Sequence, residues 1–152
     1  REKQKLKRIF GLTEKQFRNN YIKAAKQLGV TGNNLISNLE RRLDNVVYRL
    51  GFLSSRSEAR QYVNHGHVLV NGKKVDICSY IVSLDDEIGI REKSRDNVRI
   101  KSSLESVARR GVPEWLELDS EKIIGKIKRL PMRDDFKQPI DEQLIIEFYS
   151  KL

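Results

Sequence analysis

One cysteine, two histidines and no apolar run long enough for a bilayer set the first limits on this 152-residue chain. A lone Cys78 rules out an internal disulfide. With only His65 and His67 as further soft ligands, no zinc site is expected. No stretch of about 18 apolar residues occurs, so no membrane-spanning helix and no membrane partner are expected. No segment reads as a secretory signal, and neither an internal repeat nor a low-complexity tract appears. The expected setting is the reducing cytosol, with no cofactor and no resident metal. The chain opens on Arg1 rather than Met, inside a charged segment that already reads as helix. That start suggests that something has been removed before it.

What the chain has in abundance is positive charge. Charged residues make up 34%, hydrophobic residues 38%, and the net charge is +9, so a core must sit under a very polar surface. The charge is uneven. Residues 1–30 hold nine lysines and arginines against two acids, a net of +7. Residues 31–40 carry −1, residues 41–74 carry +5, residues 75–113 are neutral and residues 114–152 carry −2. A positive field confined to the first half of the chain suits phosphates rather than mere solubility.

The spacing of apolar and capping residues predicts the elements. A basic helical run ends at Gly11. Thr13 and Gln16 form a capping box, and Phe17, Tyr21, Ala24, Ala25 and Leu28 follow on one helical face, with Gly29 as a stop. Thr31–Asn34 reads as punctuation. Leu35, Leu39, Leu43, Val46, Val47 and Leu50 continue the helical spacing, with a break at Arg41-Arg42. Ser55 and Glu58 form a second capping box for a helix closed by Gly66. Asn71-Gly72 marks a β-hairpin, because a type I′ turn needs positive φ at both positions. A strand is expected at 87–92, a helix at 96–110, a strand at 123–130 and an amphipathic helix at 141–151. The fold class is α+β: mostly helical and two-lobed, with one all-helical lobe and one lobe carrying a helix-helix-hairpin module and a short antiparallel sheet. The expected domains are 1–42 plus 127–152, and 43–126, with the module at 43–92.

Residues 54–75 carry the chemistry. Ser54, Ser55 and Ser57 place hydroxyls at a helix N-terminus, where free N–H groups and a partial positive charge suit phosphate. Arg56 and Arg60 lie one turn apart, and their guanidinium forks match phosphate oxygens. Gln61 and Asn64 follow along the surface. His65 and His67 lead into the hairpin, whose turn brings Asn71, Lys73 and Lys74 alongside, and the preceding helix adds Arg41, Arg42 and Arg49. Such a unit suits structured RNA, which is recognised by shape, phosphates and 2′-hydroxyls. The basic helix at the start adds Lys3, Lys5, Lys7 and Arg8, and the next helix adds Arg18.

RLDNVVYRLGFLSSRSEARQYVNHGHVLVNGKKV resembles the RNA-binding module named after small-subunit ribosomal protein four. That module also occurs in some pseudouridine synthases, bacterial tyrosyl-tRNA synthetases and small heat-shock RNA binders. The flanks NNLISNLERRLDNVVYRLGF, SYIVSLDDEIGIREKSR, RGVPEWLELD and DEQLIIEFYSKL resemble the bacterial ribosomal protein family itself, from about Lys3 to the last residue. The resemblance implies a non-enzymatic constituent of the small subunit in the cytoplasm. It would bind ribosomal RNA at a junction early in assembly and contribute to decoding accuracy. It would also repress its own operon messenger RNA, touch a neighbouring small-subunit protein through its C-terminal region, and be a monomer outside the ribosome. The family carries an N-terminal extension that this chain lacks, and often a Pro-Gly turn where this chain has Leu84-Asp85-Asp86.

Competing readings stay beside these. Arg56 and Arg60 can be a solvated face, although the hairpin and local charge favour phosphate. No supporting carboxylate, cysteine or serine makes His65 and His67 a catalytic or metal pair, so RNA contact or turn packing is favoured. Cys78 reads as half-buried filler. Asp85, Asp86 and Glu87 read as a turn before a magnesium site, and Trp115 as core before a stacking platform. An RNA-modifying enzyme would need a catalytic domain for which the 77 residues after Val75 show no acid-base pair. A stand-alone stress-related RNA binder would share residues 41–75 but not DEQLIIEFYSKL.

Overall fold

The computed structural model describes residues 1–151. They form two compact units. One comprises residues 1–40 and 132–151, the other residues 41–131.

The first unit is helical: α1 (Glu2–Phe10), α2 (Glu14–Lys26), α3 (Thr31–Glu40) and α7 (Glu142–Ser150). Gly11 ends α1 in the left-handed conformation, and the Thr13–Gln16 capping box forms in both directions. Its core joins Leu6, Phe10, Phe17, Leu35, Ile36 and Leu39 to Phe136, Ile145 and Tyr149. Phe10 stacks on Phe136 at 5.9 Å between centroids, and Tyr21 on Tyr149 at 4.4 Å. Arg133, in a short 3₁₀ turn, pairs with Glu142 of α7.

Two expectations here need correction. The helix α2 stops at Lys26, so Leu28 is 99% exposed and Ala25 also faces solvent. Thr31–Asn34 is not punctuation but the first turn of α3. Glycine and asparagine are weak helix formers, and tertiary packing overrides them here. Gly32 is buried, and the Asn34 amide donates to the carbonyls of Ala24 and Leu28, both at 3.2 Å, closing the end of α2.

The second unit contains α4 (Leu43–Arg49), α5 (Arg56–Asn64) and α6 (Val98–Arg110). They accompany an antiparallel sheet of β1 (Val68–Val70), β2 (Lys73–Lys74), β3 (Glu87–Ile90), β4 (Leu116–Asp119) and β5 (Ile124–Ile127). The strand order is β2-β1-β3-β5-β4. Asn71 and Gly72 take φ of 52° and 81°, as the β1–β2 turn demands. Register runs Val70↔Lys73 and Val70↔Ile88, placing Val68, Val70, Ile88 and Ile90 in the core with Leu50, Val63, Val107 and Trp115. Sequence periodicity did not separate β4, although Leu116 and Leu118 alternate as a strand requires. Trp115 is core, 1% exposed.

Arg41 and Arg42 belong to this second unit. Val82 N–H donates to the Arg41 carbonyl, Arg42 bridges to Ile81, and Leu43 N–H donates to the Tyr80 carbonyl. The two units therefore meet in sequence at 40/41 and 131/132, against the expected 42/43 and 126/127.

Gly51 (φ 84°) lets α4 end against α6: a Cβ there would meet Val107 Cβ at 2.5 Å. Both positive φ and overlap in a close-packed core oppose a side chain. Gly51→Ala should lower unfolding stability by about 1–3 kcal/mol or more, as measured by denaturant titration.

Candidate nucleic-acid interface

The site residues fall into three groups by what their side chains touch. In the first, the cation or amide is bonded to other groups of the protein. Arg42 is 3% exposed, and its guanidinium makes a two-pronged bond to Asp44, 3.2 and 3.1 Å. Burial of both groups makes the pair a positioning element rather than a solvent-facing contact, contrary to the reading that set Arg42 on the interface. Arg56 Nε donates to Asn45 Oδ1 at 2.9 Å, and its guanidinium lies 4.5 Å from the Tyr48 ring centroid. Arg41 Nε donates to the Val82 carbonyl at 2.9 Å, and burial pushes its pKa down despite nearby Asp86. Asn71, read as a contact of the turn, is exposed but bonds within the protein through its amide: Nδ2 donates to Asp86 and Oδ1 accepts from Glu87 N–H, both at 2.9 Å.

The second group lies at the surface. Ser55 caps α5 by accepting from Glu58 N–H, while Ser54 Oγ donates to the Glu58 carboxylate at 2.6 Å, so the expected reciprocal box is only half formed. Ser54, Ser57, Gln61, Asn64, His65, Lys73 and Lys74 are exposed, and Arg49 and Arg60 half-exposed. Cys78 Sγ lies 3.3 Å from Asn64 Oδ1, tying the loop after β2 to the end of α5. Burial, then Asp44, raises the Cys78 thiol to about 11, so it is not a thiolate at neutral pH. Asp86 also accepts from Ser83 N–H at 2.8 Å, which accounts for the Asp85–Glu87 turn.

The third group lies in the helical unit. Lys3 and Lys7 both pair with Glu14, at 3.0 and 3.1 Å, and Lys3 sits 4.3 Å from the Phe148 ring centroid. Lys5 pairs with Glu2 at 3.1 Å, whereas Arg8 and Arg18 face solvent. Hydrogen bonds from Lys3 and then Lys7 lower the Glu14 carboxyl to about 2.

His67 sits differently from His65. Its Nδ1 is 2.6 Å from Ser94 Oγ and 3.3 Å from Arg91 Nη2, and its ring lies 4.6 Å from Tyr62. Burial, then Arg91 and His65, push its pKa below the ordinary histidine value. Arg91, Lys93 and Arg99 were missed in the sequence because the window from 75 to 113 sums to zero. The signal was present in their close spacing beside the histidines.

The comparisons with known proteins follow this division. Residues 41–88 match the family model described as "S4 domain", and residues 1–40 match "Ribosomal protein S4/S9 N-terminal domain". Three similar curated proteins each carry the name "Small ribosomal subunit protein uS4". Those of Pelobacter propionicus, Geotalea daltonii and Syntrophus aciditrophicus are 60%, 58% and 56% identical. Each alignment covers 99% of this chain, and 73%, 73% and 72% of the respective relative.

Two measurements test the intramolecular assignments. Arg42→Ala leaves Asp44 buried without its cation and should cost about 3–5 kcal/mol in unfolding stability. Glu14 has a lowered folded-state pKa, so its contribution is present above the ordinary carboxylate value of 4.5 and is lost as pH falls toward about 2. Glu14→Gln should therefore be less stable than the parent at pH 6, with the gap in melting temperature closing by pH 2.5.

Proposed function

The chain belongs to the uS4 family of small ribosomal subunit proteins. From that premise we propose that it is a structural, non-enzymatic constituent of the small subunit of the cytoplasmic ribosome, binding ribosomal RNA mainly through residues 41–131. The observation that carries this reading is the run of solvent-exposed polar and cationic residues along α5 and the β1–β2 hairpin, Ser54, Ser57, Gln61, Asn64, His65, Lys73 and Lys74, with Arg60 half-exposed beside them. Ser55 holds the first turn of α5, and Arg56 is set by Asn45 and Tyr48. Phosphate neutralisation and counterion release supply affinity, and the shape of the unit supplies selectivity. Arg8 and Arg18 of the helical unit, with Lys5, add contacts outside the module.

In the finer reading the protein engages an RNA junction early and draws together helices that otherwise repel. The C-terminal region faces a neighbouring small-subunit protein rather than RNA, and that contact bears on decoding accuracy. Support comes from α7, where Leu144 and Phe148 are 52% and 47% exposed among Asp141, Glu142 and Glu147. Apolar side chains amid acids suit a protein surface and repel a polyanion. The same RNA surface recognises the operon's own messenger RNA, and the protein is a monomer outside the ribosome.

The decisive titration uses the purified chain with the 5′ domain of small-subunit ribosomal RNA, and transfer RNA and duplex DNA as competitors. Selective binding with a log–log salt slope of about −4 to −8 is expected; equal, weak binding to all three nucleic acids would overturn the reading. Replacing Lys73 and Lys74 together by Ala should weaken the selective binding by about 1–3 kcal/mol while leaving the melting temperature near that of the parent.

A further inference from the structure

Beyond the open face of α5 and the hairpin, a second group of cations gathers around His67. Arg91 N–H donates to the His67 carbonyl at 2.8 Å, so the end of β3 is fastened to the start of β1. This places the Arg91 guanidinium against the His67 ring, 3.3 Å from Nδ1, where the buried Ser94 hydroxyl also bonds at 2.6 Å. The 3₁₀ turn Glu92–Ser94 carries Lys93 into solvent. Asn97 then caps α6 by accepting from Arg99 N–H at 2.8 Å, which fixes the helix start beside the turn. A polar cleft of about 560 Å³ results, lined by His65, His67, Arg91, Lys93 and Arg99, with Asp96 as the one carboxylate in its wall. Asp96 also lies 3.8 Å from Lys101, and Glu58 lies 3.7 Å from Arg99.

Three permanent cations and two imidazoles around a hollow with one carboxylate make a site for an anion. The fixed spacing of Arg91 against His67, and the anchored start of α6, mean that little ordering is left to do on binding. We propose that this cleft is a second RNA-backbone site, seating one or two phosphates between Arg91, Lys93 and Arg99. It rests on the ribosomal RNA reading above and extends it to a part of the chain that carries no net charge in sequence.

The arrangement also sets a pH dependence. In the empty cleft, burial first, then the Arg91 cation and His65, lower the His67 pKa and so disfavour its imidazolium. A phosphate seated on Arg91 beside the His67 ring offsets the repulsion that the Arg91 cation exerts on the imidazolium, so binding takes up a proton. RNA affinity therefore rises as pH falls through the histidine range, with His65, Arg99 and Lys93 adding to the field and Asp96 and Glu58 opposing it.

The test titrates the full chain with small-subunit ribosomal RNA at pH 7.5 and pH 6.0, over a series of potassium chloride concentrations. Arg91→Ala with Lys93→Ala should weaken binding about tenfold, make the salt slope shallower by roughly 1–2, and remove the gain at pH 6.0. Lys101→Ala should behave as the parent. Unchanged affinity and slope in a folded double variant would overturn the proposal. Loss of selective binding by the parent itself would instead overturn the ribosomal RNA reading. If the first variant melts early, Lys93→Glu with Arg99→Glu, two exposed positions, carries the same expectations. Inorganic phosphate alone should shift the His67 imidazole resonances only at far higher concentration than RNA does; saturation by dilute phosphate would assign the cleft to a free anion and overturn the RNA assignment.

Discussion

Between Arg41 and Asp44 the backbone runs beside residues 78–82, and two of its charges, Arg42 and Asp44, are sealed from water. Asp44 N–H donates to the Cys78 carbonyl at 3.3 Å, Leu43 N–H to Tyr80 at 2.8 Å, and Val82 N–H to Arg41 at 3.0 Å. Asp44 Oδ1 accepts from Arg42 and from the backbone N–H of Asn45. Asn45 in turn orients Arg56, which lies over Tyr48. One buried carboxylate thus fixes the first turn of α4 and, through it, the position of α5. A buried pair of this kind adds little net stability over an apolar substitute. Its effect is directional: α4 can start in only one place, and so can the face that α5 presents.

Much of this was legible in the sequence where local chemistry dictates local structure. The Thr13–Gln16 box, the Asn71-Gly72 turn, the break at Arg41-Arg42 and the start of α7 at Asp141 all follow from backbone groups that need partners within a few residues. What escaped was decided at a distance. Thr31–Asn34 looked like a loop until Asn34 met the end of α2. Lys3, Lys7 and Arg42 looked like free cations until Glu14 and Asp44 were beside them. Asn71 was legible as a turn residue, but not as one whose amide is tied to Asp86. Arg91, Lys93 and Arg99 were hidden for the opposite reason, because a running sum of charge counts acids that lie elsewhere on the surface.

The sheet shows how one residue type serves two ends. The outer strands β2 and β4 expose Lys73, Lys74, Glu117 and Asp119. Charges on an edge strand deter pairing with a second chain. On β2 they are lysines, so the groups that keep the edge solitary are also those of the proposed phosphate-facing surface. The inner strands β1 and β3 meanwhile bury Val68, Val70, Ile88 and Ile90. The hairpin is therefore anchored along its length and charged along its rim.

The helical unit is assembled from both ends of the described chain: Phe10 needs Phe136, and Tyr21 needs Tyr149. Residues 41–131, by contrast, are contiguous. Synthesis proceeds from the N-terminus, and domains fold as units during it. A growing chain therefore holds every segment of the second unit before the last helix of the other unit has emerged. The second unit can take shape while α1, α2 and α3 still wait for the aromatic residues that complete their core.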